Sequence, residues 1–226
     1  MVVEPVDGGP DALAGRGAVW LAERIWAAVG ARGVAHVALS GGSTPALMIR
    51  SLATLPMPWT ALHVWQVDER VAPDHDPDRN ADQLAPLAPA SIHYLPVTAS
   101  DLEAAAASYG RELRASCGGV LDVVHLGAGD DGHTASWPPG VAIREDLDVA
   151  IVGPFRGRVR LTLTPPIVNA ARERVVLAEG TAKVAALAAL MSTRTDLPIG
   201  LLQRDHLTVL ADPVALAGLT RTVSLQ

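Results

Sequence analysis

The 226-residue chain has one cysteine, one lysine and no excess of positive charge, and each shortage excludes something. Cys117 cannot form an intrachain disulfide, which fits a reducing, cytoplasmic setting. It precedes Gly118-Gly119 at an expected helix end with no flanking histidine, so a structural role is expected rather than that of a nucleophile. The longest apolar runs, such as Val184 to Met191, are far shorter than a membrane span. Met1 to Pro10 carries acids and glycines where an export signal would place a basic start and an apolar run, so export by that route is not expected. A net charge of −6 and a pI near 5.6 argue against a basic track for nucleic acid or a patch for anionic lipid. An anionic ligand would have to be drawn in by a few cations gathered in one cleft.

No linker, repeat or low-complexity tract divides the chain, so residues 1–226 are read as a single domain. Apolar residues from Leu13 to Val29 recur at helical spacing, and Val34 to Leu39 follows as a buried strand. Thr44-Pro45 is the expected start of a helix, with Thr44 as its cap. Leu62 to Val67 is the next strand, and Asp74 to Asp82 a long polar loop of the kind that carries function. Ser100 and Glu103 form a capping box for a helix toward Cys117, followed by a strand from Val120 to Leu126. Further strands are expected at 149–152, 159–163, 174–178 and 207–210, with a helix over 182–191 and a short one from Pro213. The alternation predicts an α/β fold: a doubly wound, mostly parallel sheet with helices on both faces. Ligands of such sheets bind beyond the carboxyl ends of the strands.

Three motifs stand at such ends. Ser40-Gly41-Gly42-Ser43-Thr44 joins a strand to a helix N-terminus, a geometry suited to a phosphate. It lacks the Gly-Lys-Ser/Thr ending of a Walker loop, and Ala38 stands where a nucleophile elbow needs glycine. Asp68-Glu69-Arg70 closes the next strand. Downstream, Asp74, Asp76 and Asp78 imitate a calcium loop, but Arg79 and Ala85 occupy its glycine and glutamate positions. The third motif runs from Gly127 to Ser136 and satisfies GxGxxG through Gly127, Gly129 and Gly132. Asp130 and Asp131 would repel a pyrophosphate, and no acid closes the following strand to hold a ribose. His133 beside those carboxylates is instead placed as a general base. The other six histidines are expected to be structural, since none has metal-ligand spacing.

In this order, the segments LSGGSTP, VDER and GAGDDGHTAS resemble the 6-phosphogluconolactonase family, which shares its fold with the glucosamine-6-phosphate deaminases. Arg160 to Thr164 and Glu179 to Lys183 extend the likeness over nearly the whole chain. Arg70, and Thr134-Ala135-Ser136 after His133, favour the lactonases, because the deaminases carry Tyr in place of the arginine and an Asn-Glu pair soon after the histidine. The resemblance implies hydrolysis of a sugar-phosphate lactone without metal or cofactor. It implies His133 as the base, oriented by Asp131 or Asp68, and Arg70 as the group that holds and polarises the substrate. It also implies Gly41-Gly42-Ser43, Arg160 and Lys183 around the phosphate. Lys183 is the single lysine among 18 basic residues. Two departures stand out: Trp137-Pro138 replaces the usual Leu-Phe and is expected to reshape the pocket wall, and Arg79 replaces a serine before Asn80. The alternatives are a deaminase or isomerase on the same fold, and a non-catalytic sugar-phosphate sensor.

Overall fold

Val37 and Leu39 lie in one apolar cluster and Ala38 in another, and Val175 and Leu177 are likewise separated from Val176 and Ala178. Strands that are apolar on both faces must be covered twice, which is the condition for a parallel sheet between helical layers. The computed structural model describes residues 1–192, 196–217 and 219. The chain runs through β1 (Val2–Pro5), α1 (Gly9–Arg32), β2 (Ala35–Leu39), α2 (Ser43–Ala53), β3 (Leu62–Gln66) and β4 (Asp68–Arg70). It continues through β5 (Ser91–His93), α3 (Leu102–Cys117), β6 (Val123–Gly127), β7 (Val149–Phe155) and β8 (Arg158–Leu163). It ends with α4 (Pro165–Ala170), β9 (Glu173–Ala178), α5 (Val184–Met191), β10 (Leu207–Ala211) and α6 (Pro213–Leu216).

Seven strands form one parallel sheet in the order β1-β10-β9-β6-β2-β3-β5. α1 and α2 cover one face, while α3, α4 and α5 share the cluster on the other. The fold class is the expected one, with local corrections. The strands expected at 149–152 and 159–163 leave the parallel sheet: β7 and β8 form an antiparallel hairpin, and β4 pairs with β8 to make a separate three-stranded sheet. Their connection, Arg156-Gly157, is too short for a parallel crossover. The edge strands β1 and β5 were not expected. Two caps move as well. Gly42, not Thr44, precedes α2, which places Pro45 in the first turn where its missing N–H breaks no helical bond. Asp101, not Ser100, caps α3, its carboxylate accepting the Ala104 N–H at 2.9 Å. Burial pushes the Cys117 thiol up, and Sγ donates to the Leu113 carbonyl at 3.2 Å, in keeping with a structural role.

Several histidines are structural, as expected. His36 stacks on His63 at 4.7 Å, and His63 Nδ1 lies 2.9 Å from His93 Nε2, whose Nδ1 meets Glu112 at 2.6 Å. Burial holds both His36 and His63 below the ordinary histidine range. His125, fully buried in the centre of the sheet with neither ring nitrogen hydrogen-bonded among the described residues, is pushed down to about 3. A histidine depressed by folding supports stability above its unfolded pKa and withdraws that support as the pH falls below it. For His125, unfolded near 6.5, the loss at pH 5 is about 2 kcal/mol. Urea unfolding at pH 7 and pH 5 should therefore show a difference in stability that His125→Leu reduces by about that amount. An identical pH dependence in the two proteins would contradict this.

Candidate active site

From β2 the sheet grows through β3 and β5 on one side, and through β6, β9 and β10 on the other. The loops leaving β2 and β6 diverge, opening a crevice at their carboxyl ends. A cleft of about 280 Å³ lies there, lined by the ends of β2, β4, β6 and β9 and by the β7–β8 hairpin. It brings together every expected site residue except Asp131, which stands behind His133 rather than in the wall.

The first wall is the start of α2. Gly42, with φ 129°, turns the chain into the helix, and its N–H donates to Gln83 Oε1 at 3.0 Å. Ser43 and Thr44 follow in the first turn, where backbone N–H groups have no helical acceptor and the dipole favours an anion. Ser40 Oγ is buried without a hydrogen-bond partner among the described residues. Gly41 is required by close approach, since a Cβ there would collide with the Asn80 side chain.

The second wall is β4, whose alternation separates its three polar residues. Asp68 and Arg70 face the cleft. Glu69 turns away, fully buried, and accepts from the backbone N–H of Asn80, Ala81 and Arg70, each at 2.8 Å, and from Gln66 Nε2 at 2.9 Å. It thereby anchors the loop after β4. Arg79, the departure from the family pattern, is buried 3.2 Å from Glu69 and 3.1 Å from Asp74. Asp76 and Asp78 pair with Arg158, which accounts for the acids of the imitated calcium loop. Arg70 donates to the Asp78 carbonyl, and its Nε is buried without a partner among the described residues. It lies directly across from Arg160 on β8.

Asp68 does not orient His133. Its carboxylate is buried, accepts the Ser136 hydroxyl at 2.7 Å and lies 3.9 Å from Arg160. Burial pushes its pKa up, against the Ser136 hydrogen bond and the charges of Arg70 and Arg160. Asp131 instead holds the ring: Oδ1 is 2.5 Å from His133 Nδ1 and accepts the His133 backbone N–H at 3.1 Å. Burial alone would raise the Asp131 pKa, but those bonds and the Arg156 charge hold it below the usual carboxylate range. With Nδ1 on the carboxylate, Nε2 is the ring nitrogen left for the cleft. A Cβ on Gly129 would collide with both His133 Nδ1 and the Asp131 carboxylate, so glycine at this position leaves room for their contact. No helix follows β6 directly, so the GxGxxG match lacks the helix N-terminus a dinucleotide needs.

Asp130, Asp131 and His133 also bring three ligand-type atoms within 4.8 Å. They are partnered internally, however, Arg156 Nη2 lying 2.6 Å from Asp130 and 3.3 Å from Asp131. The third wall holds Lys183, in the 3-10 turn before α5, and Glu179, 3.3 Å from Thr44 Oγ1. Arg160 completes the cationic side, and burial lowers its pKa. Trp137 lies outside the residues that line the cleft. Its indole is fully buried, donating to the Leu163 carbonyl at 2.8 Å. Sequence reasoning does not single out Arg156, Glu179 or the Ser136 link to Asp68 as site features, although Ser136 stands in the histidine motif and Glu179 opens the segment that ends in Lys183.

The profile of the family described as glucosamine-6-phosphate isomerases/6-phosphogluconolactonase matches residues 8–211. A 6-phosphogluconolactonase of Synechocystis is 38% identical over 197 residues, covering 80% of this chain and 81% of its own. One from Rhizobium meliloti is also 38% identical, covering 79% and 83%. The crystal structure of a 6-phosphogluconolactonase from Shewanella baltica superposes with a TM-score of 0.84 at 27% identity, covering 94% of this chain and 97% of that one. The chain belongs to the glucosamine-6-phosphate isomerase/6-phosphogluconolactonase family.

Proposed function

We propose that this chain hydrolyses 6-phospho-D-glucono-1,5-lactone to 6-phospho-D-gluconate in the oxidative pentose phosphate pathway, acting in the cytoplasm as one domain. The observation that carries the reading is the pairing of His133 with Asp131, which leaves Nε2 open to a cleft whose opposite side is a helix N-terminus with Lys183 beside it. One end of the cleft suits a base and the other a phosphate.

In this mechanism His133 Nε2 takes a proton from water as its oxygen bonds to the lactone carbonyl carbon. The carbonyl becomes an oxyanion, met by the Arg70 guanidinium, whose Nε has no protein partner among the described residues. Collapse of the oxyanion breaks the bond to the ring oxygen, and the imidazolium returns its proton to that oxygen. Asp131 holds the ring and stabilises its charged form between these steps. No oxidation state changes, so no electron carrier enters. The Ser43 and Thr44 N–H groups, Arg160 and Lys183 hold the phosphate, and that remote binding places the carbonyl over the base.

Rates are read above spontaneous lactone opening. His133→Ala should lose about 10²- to 10⁴-fold in kcat, and Arg70→Ala about 10²- to 10³-fold, with thermal midpoints near that of the parent. Equal rates in parent and His133→Ala would remove the base from the mechanism. Gly129→Ala should lower kcat about as far as His133→Ala, because its methyl displaces the ring from Asp131; a fully active variant would contradict the assigned dyad. Unphosphorylated glucono-1,5-lactone should react with a kcat/KM at least about 10²-fold lower than the phosphorylated substrate. Lys183→Ala should narrow that preference, and an unchanged preference would move the phosphate elsewhere. Release of ammonia from glucosamine 6-phosphate by the parent would favour a deaminase instead.

A further inference from the structure

The β7–β8 hairpin turns through Arg156 and Gly157, with φ of 48° and 80°. Two consecutive residues of positive φ match the twist of a two-residue hairpin, where Asn, Asp or Gly is the usual first residue. A long arginine is uncommon in that conformation, and backbone of this kind persists where the side chain has a task. Arg156 Nη2 lies 2.6 Å from Asp130 Oδ1 and 3.3 Å from Asp131 Oδ2. The other oxygen of Asp131 holds His133 Nδ1. The carboxylate is therefore gripped at both oxygens. Phe155, the preceding residue, sets its ring edge-on to His133 with centroids 5.1 Å apart. The hairpin tip thus touches the base and, separately, the acid behind it.

We propose that Arg156 is a positioning residue for His133: by bridging Asp130 and Asp131 it fixes the carboxylate that orients the imidazole, and it offsets two acids beside a cleft for an anion. The proposal rests on His133 being the base. Arg156 makes no contact with a reacting atom in this account. Its side chain is half exposed, and surface ion pairs add little to stability, so its effect falls on the orientation and protonation of His133.

The charges around the imidazole are Asp130 and Asp131 on its own loop and Arg156 on the hairpin, with Asp68, Arg70 and Arg160 across the cleft and Glu179 and Lys183 beyond β9. Removing Arg156 alone takes away a repulsion on the imidazolium and leaves two acids uncompensated. Both changes favour the protonated ring.

The test compares the parent with Arg156→Ala and Arg156→Lys by NMR titration of the His133 ring, its signal assigned by loss in His133→Ala. The pH dependence of kcat and KM on the phosphorylated lactone is measured alongside. In Arg156→Ala the ring should titrate about half a unit to one unit higher. The acid limb of kcat should move with it, and kcat at pH 7 should fall about tenfold while KM changes less than about twofold. Arg156→Lys should restore most of both. An unmoved ring titration overturns the proposal, as does a tenfold rise in KM with kcat and titration unchanged, which would make Arg156 a substrate ligand. The NMR arm needs no turnover, so a parent inactive on the lactone would defeat the proposed reaction while leaving the role of Arg156 decidable.

Discussion

Asp68 is a carboxylate buried at the end of a strand, and a buried carboxylate must be hydrogen-bonded or lie near positive charge. Meeting that need, together with a hydrogen bond to the Asp68 main-chain carbonyl, joins the parts of the site. The Ser136 hydroxyl binds Asp68 at 2.7 Å and fixes the far end of the His133 loop. Arg160 approaches to 3.9 Å from β8, and Asn80 donates to the Asp68 carbonyl at 3.1 Å, setting that side chain against Gly41. The residue that links the His133 loop, the cationic hairpin and the Gly41-Gly42 turn therefore touches none of the atoms proposed to react. Removing one partner of such a buried group leaves the other uncompensated, so the surrounding positions are sensitive to substitution even where they have no chemical role.

Around this hub the chain arranges its scarce positive charge. The protein carries a net charge of −6, yet Arg70, Arg156, Arg160 and Lys183 converge on a single cleft. Arg70 and Arg160 face each other across two antiparallel strands, a like-charge pairing that is unfavourable unless an anion lies between or beside it. Asp68 supplies part of that compensation within the protein. The remainder is available to a substrate that carries a phosphate and develops an oxyanion. The acids nearest His133 are in turn held by Arg156, so the negative field of the chain does not extend into the cleft unopposed.

Much of this was legible in the sequence because strand ends carry the information. Apolar strands alternating with helices predicted a parallel sheet, and parallel sheets place ligands at their carboxyl edge, so Gly41-Gly42, Asp68 to Arg70 and the Gly127 to Ser136 loop could be assigned to one site before their distances were known. The antiparallel sheet was not legible, because β7 and β8 are as rich in β-branched residues as the parallel strands and differ mainly in the shortness of the turn between them. The choice between Asp68 and Asp131 as the partner of His133 depended on three-dimensional register, which spacing does not reveal. Arg156 lay in a turn with nothing in its neighbours to mark it. The caps of α2 and α3 shifted because Gly42 adopts a backbone that Thr44 would not, and because the Asp101 carboxylate reaches the Ala104 N–H.

We propose a polarised cleft, with a base at one end and a phosphate site at the other. A crystal structure with bound 6-phosphogluconate tests it most directly. The phosphate should lie at the N–H groups of Ser43 and Thr44 with Lys183 beside it, and the carboxylate carbon within reach of His133 Nε2 and Arg70. A phosphate seated against His133 with the carboxylate at α2 would contradict it.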